Sequence, residues 1–185
     1  KTIGVVRLAL NHDITATPRK VKVNGNNREW KKTDEALFLG EFSDACATIR
    51  AAQDNDNLYF LVEVSDTCMT SSDNVSLMLA GVGASSSEAL TVNISADGLL
   101  IAERSGVEVA GVKSSMISDG SLDSESGDDK GWVAEISVPR ELMQITDSQI
   151  ALNAAFYDAA AAREDFLSEP LEDGSTVNWK LVMGL

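Results

Sequence analysis

The clearest hydrophobic pattern in the chain is a strict alternation between Asp54 and Asp66. One set of alternating side chains is Leu58, Phe60, Val62 and Val64, and the other is Tyr59, Leu61, Glu63 and Ser65. A period of two places the two sets on opposite faces of a β-strand. The pattern therefore predicts a strand that buries the first set in a core and leaves the second set mostly outside.

A second apolar run, Ala47 to Ala52, precedes this strand, and the residues between them tolerate turn geometry, so the two runs predict a β-hairpin. With the turn at Asn55-Asp56, regular pairing sets Cys46 opposite Ser65. Cys68 then lies about three residues out of register, with its side chain on the other face. Since bridged Cα atoms lie within ~7 Å, the sequence predicts two free thiols unless a bulge shifts the register.

Further short apolar runs, separated by Gly, Ser and Asp, follow the hairpin. They predict strands over residues 74–79, 89–95, 99–103, 107–112, 132–138, 150–157 and 177–183. Asp97-Gly98 predicts a tight turn, and Pro139 to Met143 predicts a short helix. The Ser-, Gly- and Asp-rich stretch from Ser114 to Lys130 predicts a long surface loop. The Ala run within Asp158 to Asp165 predicts one brief helix.

Together these elements predict an all-β, two-sheet antiparallel β-sandwich. The length of 185 residues fits one domain over residues 1–185. Residues 1–20 are expected to form an N-terminal extension or edge strand, and Val21 to Val23 suggests a further short edge strand. Pro18 limits how central this part of the chain can be, because proline cannot donate to a ladder.

The charge balance disfavours several partners. Fifteen Lys and Arg against 29 Asp and Glu give a net charge of −14, which repels nucleic-acid phosphates and anionic membrane surfaces. Such a surface keeps an exported bacterial-type domain soluble. No apolar run approaches the ~20 residues of a membrane helix. Because the chain opens on Lys1 without a signal peptide, we expect a mature or excised piece of a longer protein.

Four segments in order resemble the family 9 carbohydrate-binding modules, over roughly residues 21–185. They are Val23-Asn24-Gly25 followed by Trp30, then Asp56 to Asp66, Asp73 to Leu77, and Gly131 to Pro139. The resemblance implies a sandwich of two antiparallel sheets, related to DOMON-type folds. It also implies a non-catalytic sugar-binding module, extracellular or at the cell surface, attached to a glycoside hydrolase or similar enzyme.

The chain departs from the family's sugar site. Family members grip a sugar end between two tryptophans, helped by a Glu and an Arg. Here the first Trp place falls at Thr70 to Ser72, the Glu place at Ser76, and the Arg place near Thr91. The second Trp place falls at residues 163–166, where Phe166 offers an aromatic face. Two interpretations stay open: a carbohydrate-binding accessory module with a rebuilt site, or a structural spacer domain that has lost it.

The candidate ligand-binding residues follow a predicted strand, in a loop expected at one end of the sandwich. They are Tyr157, Arg163, Asp165 and Phe166, which combine aromatic faces for sugar C–H groups with polar partners for hydroxyls. The alternative is that Phe166 fills a core gap and Arg163 pairs with a neighbouring acid. Trp30, Trp132 and Trp179 are expected in the core or on a sheet face, away from ligand.

Metal, haem and catalytic sites have weaker support. Calcium ligands are oxygen atoms, and the resemblance allows a structural calcium; the weak candidates are Asp54, Asp56, Asp66 and Asp73. Asx turns explain these residues without an ion. No haem-ligand spacing supports His12 with Met69 or Met78. His12 is the only histidine, and the chain has neither G-x-S-x-G nor H-E-x-x-H, so an enzyme ranks last.

Overall fold

Short strands make up most of the protein, whose computed structural model describes residues 12–124, 128–145 and 147–185. The strands are β1 (Ile14–Thr15), β2 (Thr17–Pro18), β3 (Leu37–Gly40), β4 (Cys46–Gln53), β5 (Asn57–Ser65), β6 (Asn74–Ala80), β7 (Leu90–Ser95), β8 (Leu100–Arg104), β9 (Val107–Glu108), β10 (Lys113–Asp119), β11 (Gly131–Pro139), β12 (Gln149–Asp158), β13 (Arg163–Phe166) and β14 (Lys180–Met183). The 3₁₀ turns Asn27–Glu29, Ser86–Glu88 and Arg140–Leu142 are the helical elements of these ranges, and no helix in them is long and apolar enough to cross a bilayer.

The strands form two sheets. The eight-stranded sheet has the order β1-β14-β12-β6-β7-β8-β9, with β13 also paired to β12. The six-stranded sheet has the order β10-β11-β5-β4-β2, with β3 also paired to β4. Pairing is antiparallel except for the short parallel pairs β1–β14 and β2–β4. The predicted β-sandwich is confirmed, with both sheets mixed because residues 14–18 run from one sheet into the other.

The core lies between the sheets and contains the predicted stripe. Leu58, Phe60 and Val62 are 0% exposed and Val64 is 5% exposed, in one cluster with side chains of the other sheet. Tyr59 and Leu61, expected mostly outside, are also buried. The segment before β3 covers them, because Val21 and Trp30 pack on that side of the six-stranded sheet.

The hairpin register is as predicted. β4 pairs with β5 so that Cys46 lies opposite Ser65, and both cysteines are free thiols. Gly98 takes a positive φ of 87° in the turn between β7 and β8, and the short helix expected after Pro139 is the 3₁₀ turn Arg140–Leu142.

Two predicted elements are wrong. Residues 114–119 of the predicted loop from Ser114 to Lys130 belong to β10, an edge strand whose polar side chains are tolerated because pairing with β11 needs only its backbone. The predicted helix from Asp158 to Asp165 is a turn followed by β13. Its Ala run is too short to repay helix nucleation, and Ala162 adopts a φ of 50° that ends any helix.

Other bounds differ by a few residues. The strand predicted over 107–112 is only Val107–Glu108, and the one predicted over 177–183 is only Lys180–Met183. Val21 to Val23 is not a strand; the edge strands near the N-terminus are Ile14–Thr15 and Thr17–Pro18. The rest of the predicted N-terminal extension, residues 1–11, lies outside the described residues.

Candidate functional site

The outer face of the eight-stranded sheet, turned away from the core, gathers two of the four predicted ligand-binding residues. β12 alternates between core residues such as Phe156, which is 0% exposed, and outward residues such as Tyr157, which is half-buried. β13 pairs with β12 so that Phe166 lies opposite Ala155. Directly opposed residues share a face, so Phe166 and Tyr157 are diagonal neighbours about 7 Å apart on the outer side.

The sheet register extends these aromatic residues into two rows. One row crosses five strands and contains Phe166, Ala155, Ser76, Asn93 and Ile101. The second row contains Glu164, Tyr157, Asn74 and Ser95. We call these two rows the outer platform. With strands about 4.8 Å apart, the first row spans about 19 Å from Phe166 to Ile101, long enough for several sugar rings.

Three polar side chains of the outer platform are unengaged, whereas Asn74 donates to the Ser72 carbonyl and Ser95 donates to Asp97. Within the described part of the chain, the hydroxyl of Ser76, the amide of Asn93 and the phenol of Tyr157 have no side-chain hydrogen bond, and all three side chains are half-buried. Asn153, on the same face, differs: it is 1% exposed and binds both backbone groups of Ser168. The platform thus offers free donors and acceptors on a fixed backbone, as a hydroxylated ligand requires.

The other two predicted ligand residues, Arg163 and Asp165, lie on the inward side of β13. Arg163 is opposite Asp158, and its Nε donates to Asp165 Oδ2 over 2.8 Å. Its NH1 donates to Asp44 over 2.9 Å and its NH2 to the Ala45 carbonyl over 3.0 Å. Burial lowers the pKa of Arg163, but these carboxylates raise it to a value above its ordinary one. Arg163 therefore joins the two sheets. This arrangement matches the alternative interpretation of the sequence, in which Arg163 pairs with a neighbouring acid.

Three buried carboxylates meet at the same end of the sandwich. Asp66, Asp73 and Asp158 are 3%, 0% and 2% exposed, and one oxygen of each lies within 4.8 Å of the others. We call them the carboxylate cluster. Asp66 follows β5 of one sheet, whereas Asp73 precedes β6 and Asp158 ends β12 of the other. Arg163 is the nearby cation, with its NH2 3.6 Å from Asp158.

The carboxylate oxygens of the cluster are ligands of the type that a calcium ion takes. Asp73 accepts from Thr70 and from the backbone N–H of Ala159, and Asp66 Oδ1 accepts from the backbone N–H of Cys68. Asp66 Oδ2 is buried with no hydrogen-bond partner. Burial and the charges of Asp73 and Asp158 raise the pKa of Asp66 to about 6. Calcium prefers carboxylate oxygens, and a divalent charge would relieve this crowding.

The predicted metal candidates separate into two places. Asp66 and Asp73 belong to the carboxylate cluster, but Asp54 and Asp56 lie at the other end of β5 in the hairpin turn. Asp54 Oδ1 accepts from the backbone N–H groups of Asp56 and Asn57, which is an Asx turn. Sequence reasoning missed Asp158; its position at the end of a strand, as for Asp66, is the signal that would have identified it.

The three tryptophans pack against protein. Trp132 is 1% exposed in the main core, and Trp30 is 8% exposed beneath the segment before β3. Trp179 is 7% exposed and packs against Ala80, Ala89 and Ala151, beyond the polar part of the outer face. A pocket of about 240 Å³ lies between Trp179, Met78 and Leu171. Sequence reasoning missed Asn74 and Asn93, which only the register of β6 and β7 places beside the aromatic residues.

Comparisons with known proteins agree with this architecture. No family model and no curated protein sequence matches the chain. A family 9 carbohydrate-binding module from Caldicellulosiruptor kristjanssonii, in complex with cellotriose, superposes with a TM-score of 0.67 at 12% identity over 92% of each chain. A structure of such a module from the same organism with glucose gives a TM-score of 0.69 at 12% identity, over 92% of this chain and 94% of that one. The chain therefore has the fold of the family 9 carbohydrate-binding modules.

Proposed function

We propose that this chain is a non-catalytic carbohydrate-binding module whose ligand lies across the outer platform. The observation that carries the proposal is the row from Phe166 through Ser76 and Asn93 to Ile101, with Tyr157 beside it. An aromatic side chain offers its ring to the C–H face of a sugar, and the free hydroxyl and amide groups next to it satisfy sugar hydroxyls. The solved modules of the same fold hold cellotriose and glucose.

The platform differs from the family's sugar-end site in chemistry. Ser76 and Thr91 stand where the family places Glu and Arg, and both lie on the same outer face as Asn93. Neutral hydroxyl groups thus stand in place of a charged carboxylate and a charged guanidinium. We propose a neutral oligosaccharide laid along the sheet as the ligand, in place of a chain end clamped between two indole rings.

The remaining parts of the proposal concern context. We propose that the module is extracellular and attached to a glycan-active enzyme such as a glycoside hydrolase. A single exposed aromatic platform binds weakly, and tethering would raise its effective concentration near substrate. We also propose that the carboxylate cluster holds a structural calcium, with Asp66, Asp73 and Asp158 as ligands and no role in catalysis. The calcium would supply fixed positive charge between the two sheets.

The test is titration of the whole chain with neutral oligosaccharides, including cellotriose, by calorimetry, preceded by a glycan array. The double variant Tyr157→Ala/Phe166→Ala should weaken binding about tenfold or more, because both rings are lost. Since both side chains are half-buried at the surface, the variant should keep its fold, which thermal unfolding checks.

The matched control is Phe42→Ala, which removes an aromatic ring that is 65% exposed in the loop after β3 of the other sheet. It should leave sugar affinity unchanged. A loss caused by Phe42→Ala and not by the double variant would place the ligand elsewhere. If no neutral or charged glycan binds, the spacer interpretation is supported, since the tryptophan, Glu and Arg places hold Thr70 to Ser72, Ser76 and Thr91.

A further inference from the structure

The positive charge of this acidic chain is concentrated in one segment. Residues 19–32 contain six Lys and Arg and a single Glu, although the whole chain has a net charge of −14. This segment covers the outer side of the six-stranded sheet, where Trp30 packs with Tyr59 and Leu61. The concentration of cations therefore lies on the face opposite the outer platform.

A pocket of about 530 Å³ opens where this segment meets the sheet. Leu61 and Trp30 form its apolar part, and Arg28, Lys31, Lys32 and Arg50 bring four cationic side chains to it. We call it the cationic pocket. Its volume lies in the range of small-ligand sites, which commonly measure about 300–1,000 Å³.

Three of the four cations are uncompensated. Glu63, the acid of the pocket, is engaged: its Oε2 pairs with Arg50, and its Oε1 accepts from Asn27 Nδ2 over 2.9 Å. No carboxylate in the described ranges lies within 4.0 Å of the side chains of Arg28, Lys31 or Lys32, and all three residues are exposed. The cationic pocket thus has three exposed cationic side chains with no ion-pair partner within 4.0 Å among the described residues.

The acidity of the rest of the molecule does not cancel this local field. At physiological ionic strength the Debye length is about 8 Å, so distant surface carboxylates are largely screened. A ligand inside the pocket interacts mainly with the cations that surround it. An anion of matching size is therefore attracted to this face despite the net negative charge.

We infer that the cationic pocket is a second binding site, for an acidic saccharide that carries sulfate or carboxylate groups. Arg28, Lys31 and Lys32 would bind the anionic groups, while Trp30 and Leu61, which are 8% and 1% exposed, form the packed floor of the pocket. Arg and Lys form charge-assisted hydrogen bonds to such oxygens, which are stronger than neutral ones. This site is separate from the outer platform and does not require that the platform bind sugar.

The position of the pocket favours a saccharide over an acidic peptide. Arg50 and Leu61 are directly opposed on β4 and β5, which are interior strands of the six-stranded sheet. Leu61 is paired with strands on both sides, with Arg50 of β4 and Glu135 of β11, so a peptide could not add to the sheet as an extra strand here. Recognition depends on side chains alone, which suits a ligand that presents its own anionic groups.

The experiment is calorimetric titration of the whole chain with a heparin-derived oligosaccharide and, separately, with an oligogalacturonate. Lys31→Gln/Lys32→Gln should weaken binding about fivefold or more, because two exposed ion pairs are lost. The matched control, Lys113→Gln/Lys130→Gln, removes the same charge from exposed positions outside the pocket and should change affinity less than about twofold. Binding should also weaken steeply as ionic strength rises from about 0.01 M to about 1 M.

The outcomes separate the alternatives. Binding of the heparin-derived oligosaccharide alone assigns sulfate as the recognised group, and binding of the oligogalacturonate alone assigns carboxylate as that group. The inference fails if neither ligand binds, if the two double variants weaken binding equally, or if poly-glutamate of equal charge binds as tightly as the saccharides. Binding of neutral oligosaccharide to the outer platform should be the same in Lys31→Gln/Lys32→Gln and the unaltered chain, so a failure of one site is distinguishable from a failure of the other.

Discussion

At the scale of single residues, the pair Tyr59 and Asp54 shows how a titratable side chain stabilises a turn. Asp54 Oδ2 accepts from the Tyr59 hydroxyl over 2.8 Å, while Oδ1 holds the Asx turn. Burial raises the pKa of Asp54, but the hydrogen bonds from Asp56, Tyr59 and Asn57 lower it to a net value below the ordinary one. Burial, together with the bond to Asp54, raises the pKa of Tyr59 to about 12.

This pair predicts a loss of stability in alkali. Because the pKa of Tyr59 is raised in the folded state, its contribution is fully present below the unfolded pKa of about 10 and disappears as the pH rises through about 12. In chemical denaturation, the free energy of unfolding should fall by about 1 kcal/mol more in the unaltered chain than in Tyr59→Phe over this window. Tyr157→Phe, at the only other tyrosine, should keep the unaltered pH dependence. Equal alkaline losses in all three proteins would contradict the assignment.

The sequence identified the aromatic residues of the candidate site but could not assign their faces. Tyr157 and Phe166 share the outer side only because β13 pairs with β12 in a register that sets Ala155 opposite Phe166. The segment from Asp158 to Asp165 was interpreted as a helix, which has no such alternation. The sequence therefore could not show that Arg163 and Asp165 lie on the opposite face from Tyr157 and Phe166. Burial of Tyr59 and Leu61 was missed for a similar reason, because the cover over them comes from distant residues.

At the scale of elements, strands with strong alternation were predictable and edge strands were not. β5 and β11 are central, and their apolar periodicity reports the core directly. β10 is an edge strand of the six-stranded sheet, and β13 is a four-residue strand beside β12. Their backbone pairing leaves little trace in side-chain pattern, because only one neighbour constrains them. Composition alone therefore suggested a loop for the first and a helix for the second.

One motif residue of the resemblance has a clear local cause. Gly131 begins β11 with a φ of 113°, and a Cβ placed on it would lie 1.9 Å from the carbonyl oxygen of Val64. Only glycine allows this approach of two backbones without strain. The glycine that precedes Trp132 in the sequence motif is thus set by strand packing, which is a property of the fold and carries no information on ligand.

Residues 21–30, before β3, cover Tyr59 and Leu61, and we call them the covering segment. Its attachment to the six-stranded sheet depends on one buried carboxylate. Glu135 is 0% exposed; its Oε2 accepts from the backbone N–H groups of Asn24 and Gly25, and its Oε1 from Trp30 Nε1 over 2.9 Å. Glu135→Gln places an amide NH₂ against donors and should lower the free energy of unfolding by about 2–3 kcal/mol. Hydrogen exchange should show early opening of the amides of Asn24 and Gly25.

The control for this prediction is Glu103→Gln, at an exposed position on β8. It removes the same charge with no buried donor left unpaired, so its effect on unfolding should stay within about 0.5 kcal/mol. If exchange at Asn24 and Gly25 were the same in both variants, the covering segment would be held by its apolar contacts and Glu135 would not be its anchor.

At the scale of the whole molecule, the two outer faces differ in chemistry. On the eight-stranded sheet, the first row of the outer platform has only neutral side chains, with Phe166 at one end, whereas the cationic pocket lies on the six-stranded sheet. The core between the sheets separates them, so a ligand on one face does not contact a ligand on the other. Under the two proposals made above, a neutral and an acidic saccharide would lie on opposite faces of the module, which would align two polymers of a mixed glycan.

The two sheets are joined at one end by charged groups. Arg163 connects β13 to Asp44 and Ala45 in the loop between β3 and β4 of the other sheet, and the carboxylate cluster brings Asp66 beside Asp73 and Asp158. Three buried carboxylates with one cation near them repel one another, because burial weakens the screening of charge by water. A divalent ion bound by both sheets would convert this repulsion into a bridge.

Calcium should therefore stabilise the molecule as a whole. Binding to the folded state alone adds RT ln(1 + c/Kd) to the free energy of unfolding, where c is the free calcium concentration, and this is about 0.4–1.4 kcal/mol when c is about 1 to 10 times Kd. Asp158→Asn should abolish this response and, in EDTA, should raise the melting temperature, because an amide relieves the repulsion and still accepts from the backbone N–H of Ala161.

The control is Asp97→Asn, in an exposed turn, which should keep the full calcium response. Thermal unfolding in EDTA and in about 1 mM calcium measures both effects, since weak calcium sites have a Kd of about 0.1–1 mM. An equal melting temperature of the unaltered chain in EDTA and in calcium would show that the carboxylate cluster binds no calcium. The fold would then hold the three carboxylates together against their own repulsion.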